Sequence, residues 1–313
     1  MTRIGHRDTF PESLRGAIVA LGNFDGFHLG HQAVVREAVE WARAEGRPVI
    51  VATFDPHPVR HFAPHVPPFR LTTLDQREDL FAAAGADAML VFAFDGELAA
   101  TSAEDFVGEL LARRFGAAGV VTGEDFTFGQ NRRGTIAVLR EQGALHGLAV
   151  RAVGPVMERG QPVSSSRIRD ALKAGECDTA ARLLTRPFAI RGTVQHGDKR
   201  GRAIGYPTAN LELGSYLRPR YGIYAVTGRV LGTGEVLSGC ANLGVRPTFA
   251  PPRELLEPYF FDFTGDLYGA EIEVALHHFL RPEARFASVE ALVAQMGEDC
   301  EQARNLLSGA PSR

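Results

Sequence analysis

Cysteine is scarce: there are three in 313 residues, Cys177, Cys240 and Cys300, with no Cys-x-x-Cys pair. That usage suggests neither a disulfide framework nor a zinc site, and it fits a reducing cytosol. No eighteen apolar residues run together, and Met1 to Gly16 mixes charges and proline without an apolar leader core. The chain therefore reads as cytoplasmic, neither exported nor membrane-spanning. It also lacks an excess of either charge. A formal net charge of -3 argues against a nucleic-acid partner held by bulk positive charge. There is no internal repeat and no low-complexity tail, and the oligomeric state is left open.

What is present is an ordinary globular composition, 45% hydrophobic and 23% charged, in a chain longer than one core usually fills, so two domains are expected. From Ala17 to about Leu184, apolar runs alternate with helical segments. The runs are Ala17 to Leu21, Val49 to Phe54, Ala88 to Phe92, Val120 to Thr122 and Ala149 to Val153. This is the pattern of βαβ units on a parallel sheet. Thr73-Leu74-Asp75-Gln76 and Ser102-Ala103-Glu104-Asp105 have capping-box form and mark helix starts. After Thr185-Arg186-Pro187 the texture becomes β-like, at Phe188 to Val194, Gly222 to Val230, Val236 to Leu243, Tyr259 to Phe263 and Ile272 to Phe279. An amphipathic helix over Ser288 to Leu307 closes the chain. The expectation is an α/β protein: a parallel-sheet domain over residues 1–184, then a mostly antiparallel β-barrel with a C-terminal helix over 185–313.

The most informative stretch is Gly22-Asn23-Phe24-Asp25-Gly26-Phe27-His28-Leu29-Gly30-His31, set between an apolar run and a helical run from Gln32 to Ala44. A glycine-rich strand-to-helix turn lets backbone N–H groups approach a polyphosphate, and the dipole of the new helix favours its charge. His28 and His31 add side-chain donors. Alone, His-x-Gly-His is as often a metal fragment or a surface turn. The flanking strand and helix favour phosphate, and the spacing is not that of a helical zinc pair. Val163-Ser164-Ser165-Ser166-Arg167-Ile168-Arg169, before a short helix from Asp170 to Ala174, offers hydroxyls and two planar cations. By itself it is more often an N-cap followed by surface arginines; with the histidine loop it reads as a triphosphate clamp.

Phe54, Phe62, Phe126 and Phe128 are core residues if taken singly. Together they can line a slot for a flat ring near strand ends, where open α/β sheets bind ligands. His57, His61 and His65 recur every four residues, but Pro56, Pro58 and Pro64 favour a solvated loop over a metal site. Gly129 to Thr135 has near P-loop spacing without its lysine and reads as a basic flap. In the second half, Gly197-Asp198-Lys199-Arg200-Gly201-Arg202 is a basic loop able to embrace phosphates, with a plain surface turn as its alternative. Thr208 and Asn210 offer hard oxygens of the kind Mg2+ accepts beside phosphate and water.

Four motifs stand in order: Gly-Asn-Phe-Asp-Gly-x-His-x-Gly-His, Phe-x-Pro-His-Pro, Gly-x-Asp-Phe-x-Phe-Gly and Ser-Ser-x-Arg-Ile-Arg. Through them residues 15 to 184 resemble the adenylyltransferase half of the bacterial bifunctional riboflavin kinase/FMN adenylyltransferase (FAD synthetase) family. Pro207-Thr208-Ala209-Asn210 resembles the flavokinase signature, and Gly222-Ile223-Tyr224, Asn242 to Thr248, Asp262 to Gly269 and Leu280-Arg281-Pro282-Glu283 extend the likeness to residue 307.

The resemblance implies a Rossmann-like nucleotidylyltransferase domain and a flavokinase-type barrel. Together they would turn riboflavin and ATP into FMN and ADP, then FMN and ATP into FAD and pyrophosphate, with Mg2+. It implies ATP binding by Gly22, Asn23, Phe24, Gly30, Ser164 and Arg169, with His28, His31 and Arg167 stabilising adenylyl transfer. Ser166 stands where the family usually has Thr and keeps the hydroxyl. For the kinase it implies ATP binding by Gly197, Lys199 and Arg202, Mg2+ binding by Thr208 and Asn210, and Glu257 as the catalytic carboxylate. Flavin contacts fall to Phe54, Phe62, Phe128 and Arg281, with Asp125 either among them or capping a turn.

The two reactions call for different groups. Riboflavin offers a neutral alcohol, so a carboxylate that accepts its proton helps. FMN offers a phosphate whose second pKa is about 6, already largely ionised, so donors and cations suffice. A nucleotidylyltransferase for pantetheine phosphate or a nicotinamide nucleotide is opposed by the Pro-Thr-Ala-Asn domain. A non-catalytic flavin- or RNA-binding protein is opposed by the mild acidity and by Glu257 together with both histidines.

Overall fold

A computed structural model describes residues 1–196, 205–246 and 253–309. The chain divides into two compact units, Met1–Val66 with Leu74–Ser164, and Pro67–Thr73 with Ser165–Arg313.

In the first unit Thr2–Gly5 (β1), Ile18–Leu21 (β2), Val49–Phe54 (β3), Ala88–Phe92 (β4), Gly119–Gly123 (β5) and Ala149–Val153 (β6) form a parallel sheet in the order β1-β4-β3-β2-β5-β6. The helices are Leu29–Glu45 (α1), Pro58–Phe62 (α2), Leu74–Ala83 (α3), Gly96–Ala100 (α4), Ala103–Asp105 (α5), which runs on into a π-helical stretch at Phe106–Arg114, and Ile136–Leu145 (α6). β2 is apolar throughout, and β3 is apolar but for buried Thr53, because both faces are covered. Val19 and Leu21 point into a core with Phe92, Phe106 and Leu111. Ile18 and Ala20 point the other way, onto Val35, Trp41 and Phe81. β1 lies in a segment whose charges and proline hid it; an edge strand needs few inward residues, and here Ile4 supplies one. Met157–Glu158 (β7) and Gln161–Pro162 (β8) make a short hairpin.

The second unit holds Ser165–Ala174 (α7) and Cys177–Leu184 (α8) before the barrel strands Phe188–Thr193 (β9), Leu211–Glu212 (β10), Gly222–Val230 (β11), Val236–Arg246 (β12), Arg253–Phe260 (β13) and Glu271–Arg281 (β14). These pair antiparallel in the order β10-β13-β12-β11-β14-β9, and Gln195 N–H donates to Asn210 O (2.9 Å), nearly closing the barrel. Leu211, Leu256, Leu243, Tyr224, Val226 and Val274 fill the interior. The helix Val289–Ser308 (α9), capped by the Ser288 hydroxyl (3.2 Å from Ala291 N), packs Ala303 on the outer wall against Ala225, Cys240 and Phe261. Residues 67–73 join this unit through Arg70, bonded to Ser215 and Leu217 (3.1 and 2.8 Å).

Two expected boundaries move furthest. The strand placed over Tyr259 to Phe263 is instead β13, because Asp262 adopts a positive φ of 58° and turns the chain out. The helix expected from Asp170 begins at Ser165, so Ser166, Arg167 and Arg169 lie within it. No helix of the described residues is long and apolar enough to cross a membrane.

Candidate active sites

β2 is where the strand order reverses, with β3 and β4 on one side and β5 and β6 on the other. Open parallel sheets bind ligands at the carboxyl end of such a strand. The histidine loop leaves β2 there and is held from both neighbours. Thr122 of β5 donates its hydroxyl to Leu21 O (2.9 Å), and Thr53 of β3 donates to Asn23 O (2.8 Å). Buried Arg77, from α3, donates to Thr53 Oγ1 (2.7 Å) and Asn23 O (3.2 Å) and lies 3.7 Å from Asp55.

The loop takes positive φ at Phe24 (50°), Gly26 (86°) and Phe27 (45°). Packing both phenylalanines edge-on against Phe81, at 5.7 and 5.1 Å, offsets that strain. His28 is the N-cap of α1: Nδ1 accepts from His31 N (3.4 Å), and the two imidazoles stack with centroids 3.6 Å apart. A Cβ at Gly30 would stand 3.2 Å from the His28 ring, which is why a glycine sits there. Asn23 Oδ1 is buried with no hydrogen-bond partner among the described residues. It is the kind of acceptor a ligand donor satisfies.

The aromatic residues separate into two groups. Phe54 and Phe128 are core, whereas Phe62 is 68% exposed on α2. Phe62 meets Phe94 edge-on (5.8 Å), and Phe94 meets Phe54 (6.0 Å). His57 caps α2, Nδ1 accepting from Val59 N (3.2 Å), and His61 lies edge-on to Phe62 and Phe94. Asp125 is exposed and makes no hydrogen bond among the described residues. Its carboxylate oxygen is 3.0 Å from where a Cβ at Gly123 would be. Ser164 ends the first unit, while Arg167 and Arg169 belong to α7 of the second. Arg169 donates to Phe69 O (2.9 Å) and covers the Phe69 ring. Gly197, Lys199, Arg200 and Arg202 lie outside the described residues.

On the outer wall of the barrel, strand register assembles a single row. Glu257 stands opposite Asn242, Asn242 opposite Ile223, and Ile223 opposite Arg281. Asn210, one residue before the Leu211 and Leu256 pair, comes in beside Glu257; Ala209 N–H donates to Pro258 O (2.9 Å) and pins that approach. Side chains alternate across a strand, so with Leu211, Leu256, Leu243 and Tyr224 inside, this row faces out. The Glu257 side chain is 14% exposed, and Arg246 on the same strand face forms an ion pair with its Oε2. Among the described residues Oε1 accepts no hydrogen bond. Gly244, between Asn242 and Arg246, leaves space that the Glu283 carboxylate fills. The Arg281 guanidinium is held by both oxygens of Asp299 (2.8 and 2.6 Å) on α9.

The Thr208 hydroxyl and the buried Asn210 amide flank Ala209. They are hard oxygen donors next to a carboxylate, a set that fits Mg2+ arriving with phosphates. Beside Thr208 is a cavity of about 60 Å³ lined by Val194, Pro207, Phe260, Phe263 and Tyr268 among others. The Tyr268 ring lies 4.0 Å from that of His196. Arg77, Asn242, Arg246 and Tyr268 are not singled out by the sequence. Asn242, Arg246 and Tyr268 lie inside motifs that carry the resemblance, and that is the available signal.

The FAD synthetase family model matches residues 10–167, and the riboflavin kinase model matches residues 184–307. The bifunctional riboflavin kinase/FMN adenylyltransferase of Escherichia coli (strain K12) is 40% identical over 285 residues, 91% of this chain and 90% of that protein. The chain belongs to this family. The protein of the same name from Pseudomonas fluorescens is 40% identical over 299 residues, 95% of this chain and 94% of its own. A crystal structure named as a macrolide-efflux protein from Streptococcus pneumoniae superposes with a TM-score of 0.87 at 32% identity, covering 97% of this chain and 99% of that one. The family's two domains thus occur in order, the FAD synthetase match in the half with the histidine loop and the riboflavin kinase match over the barrel.

Proposed function

We propose that residues 185–313 phosphorylate riboflavin to FMN and residues 1–184 adenylylate FMN to FAD, on small-molecule substrates in the cytoplasm, with neither nucleic acid nor membrane as partner. The observation that carries the division is where the acid lies. Glu257, the carboxylate suited to act as a base, stands on the barrel wall beside the oxygen donors of Asn210. The histidine loop presents stacked imidazoles at a helix N-terminus.

In the kinase, Glu257 Oε1 accepts the proton of the riboflavin 5′-hydroxyl as that oxygen attacks the γ-phosphorus of ATP and ADP departs. Arg246 fixes the carboxylate through its other oxygen. Thr208 and Asn210 would hold Mg2+, which supplies charge neutralisation on the transferring phosphoryl group. Gly197, Lys199 and Arg202 are assigned to the phosphates of ATP, and Arg281 to the flavin.

In the adenylyltransferase, a phosphate oxygen of FMN attacks the α-phosphorus of ATP and pyrophosphate leaves; no proton need be removed. Gly22, Asn23, Phe24, Gly30, Ser164 and Arg169 are assigned to ATP. His28, His31, Arg167 and the first amides of α1 stabilise the charge that builds at phosphorus. Exposed Phe62 offers its face to the flavin ring, with Phe94 edge-on to it and Phe54 edge-on to Phe94; Phe54, Phe128 and Asp125 are assigned to the flavin as well. The test is a time course of riboflavin with Mg2+ and ATP, FMN and FAD being separated by chromatography. FMN rises first and FAD follows with an equal release of pyrophosphate. Unchanged riboflavin, or FMN as the sole product, refutes the reading.

A further inference from the structure

We propose that Asn242 is a substrate-positioning residue of the kinase, its side-chain carbonyl accepting a hydrogen bond from the ribityl hydroxyl next to the one that is phosphorylated. The inference deepens the kinase reading and rests on it. Asn242 Oδ1 is buried and has no hydrogen-bond partner among the described residues. An unsatisfied buried acceptor is costly, and in a native protein it calls for a reason.

The row on the barrel wall supplies that reason. Asn210 lies on one side of Glu257 and Asn242 on the other, followed by Ile223 and Arg281. The metal and phosphate donors Thr208 and Asn210 occupy the first side, so the alcohol substrate reaches Glu257 from the second, across Asn242. Directly opposed residues on antiparallel strands have Cβ atoms about 5 Å apart. Neighbouring hydroxyl oxygens of a polyol lie closer together than that, and two side chains rising from such Cβ atoms can converge on them, so a terminal hydroxyl on Glu257 sets the 4′-hydroxyl at Asn242. The residue is only partly buried, and rotation about the soft χ2 of an amide turns the oxygen toward an incoming donor.

Asn242→Leu and Asn242→Ala test this, with riboflavin and 4′-deoxyriboflavin as substrates. For riboflavin, kcat/KM of phosphorylation falls about 3- to 10-fold, the worth of one neutral hydrogen bond. 4′-Deoxyriboflavin should be phosphorylated less efficiently than riboflavin by the unaltered enzyme, and neither substitution should cost anything further on it. Asn242→Leu, which replaces an unsatisfied acceptor by an apolar group of like size, melts no lower than the parent, a combination that a merely structural role would not give. FAD formation from FMN stays unchanged.

Three results overturn the inference: equal losses on both substrates, no loss on either, or a raised Mg2+ requirement at an unchanged riboflavin KM, which would make Asn242 a metal ligand. Glu257→Gln, run alongside, tests the underlying reading separately. If it leaves phosphorylation intact, the kinase assignment fails; if it abolishes phosphorylation while the Asn242 variants behave as the parent, only the present inference fails.

Discussion

Arg77 is 3% exposed and anchors the loop to which adenylyl transfer is assigned. Its guanidinium donates to Thr53 Oγ1 at 2.7 Å and Asn23 O at 3.2 Å. Arg77→Met keeps most of the volume and removes both bonds. Hydrogen bonds involving a charged group are each worth about 1.5–3 kcal/mol. Asn23 O keeps the Thr53 hydroxyl as a donor, and Asp55, with a quarter of its side chain exposed, is partly solvated, so the loss settles near 2–3 kcal/mol. Spent on loop geometry, that is about a 30- to 150-fold fall in kcat/KM for ATP in adenylylation. Initial rates of FAD formation from FMN at varied ATP measure it, with riboflavin phosphorylation by the same preparation as the internal control, expected within about twofold. A folded Arg77→Met protein with undiminished FAD synthesis refutes the idea that this buried arginine organises the nucleotide loop.

Gly30→Ala puts a methyl 3.2 Å from the His28 ring, so FAD formation drops while FMN formation holds; equal rates for Gly30→Ala and the unaltered protein in the FAD assay would contradict it. His6 is held below its usual pKa by burial and then by the Arg7 charge, with Nδ1 accepting from Ala93 N (3.0 Å). A lowered folded pKa means that His6 favours the folded state fully above about pH 6.5 and loses that contribution as pH falls through its folded value. His6→Gln should therefore flatten the acid side of the unfolding profile, and an unchanged slope counts against it. Arg281→Gln strands the Asp299 carboxylate, 4% exposed, on α9. The expected cost is about 3–5 kcal/mol, read as a lower midpoint of denaturation, with Asp299→Asn milder.

The parallel sheet was legible because buried strands read as short apolar runs between helical segments, and the histidine loop because glycines and histidines punctuate one such junction. The barrel wall was not. Antiparallel register brings together residues far apart in the chain, and nothing near Glu257 in sequence names Asn210, Asn242 or Arg281 as its row. Arg77 escaped notice because an arginine in an amphipathic helix reads as solvent-facing, and only the fold turns it inward. Phe54 and Phe62 looked alike on paper; burial separates a core ring from an exposed one.

Two chemistries are assigned to two separate sites in one chain, and reciprocal substitution distinguishes them. Purified Glu257→Gln and His31→Ala proteins, both shown to be folded, are assayed for FMN from riboflavin and for FAD from supplied FMN. Glu257→Gln is expected to lose the first and keep the second, and His31→Ala to do the reverse. Loss of both activities in either variant contradicts it.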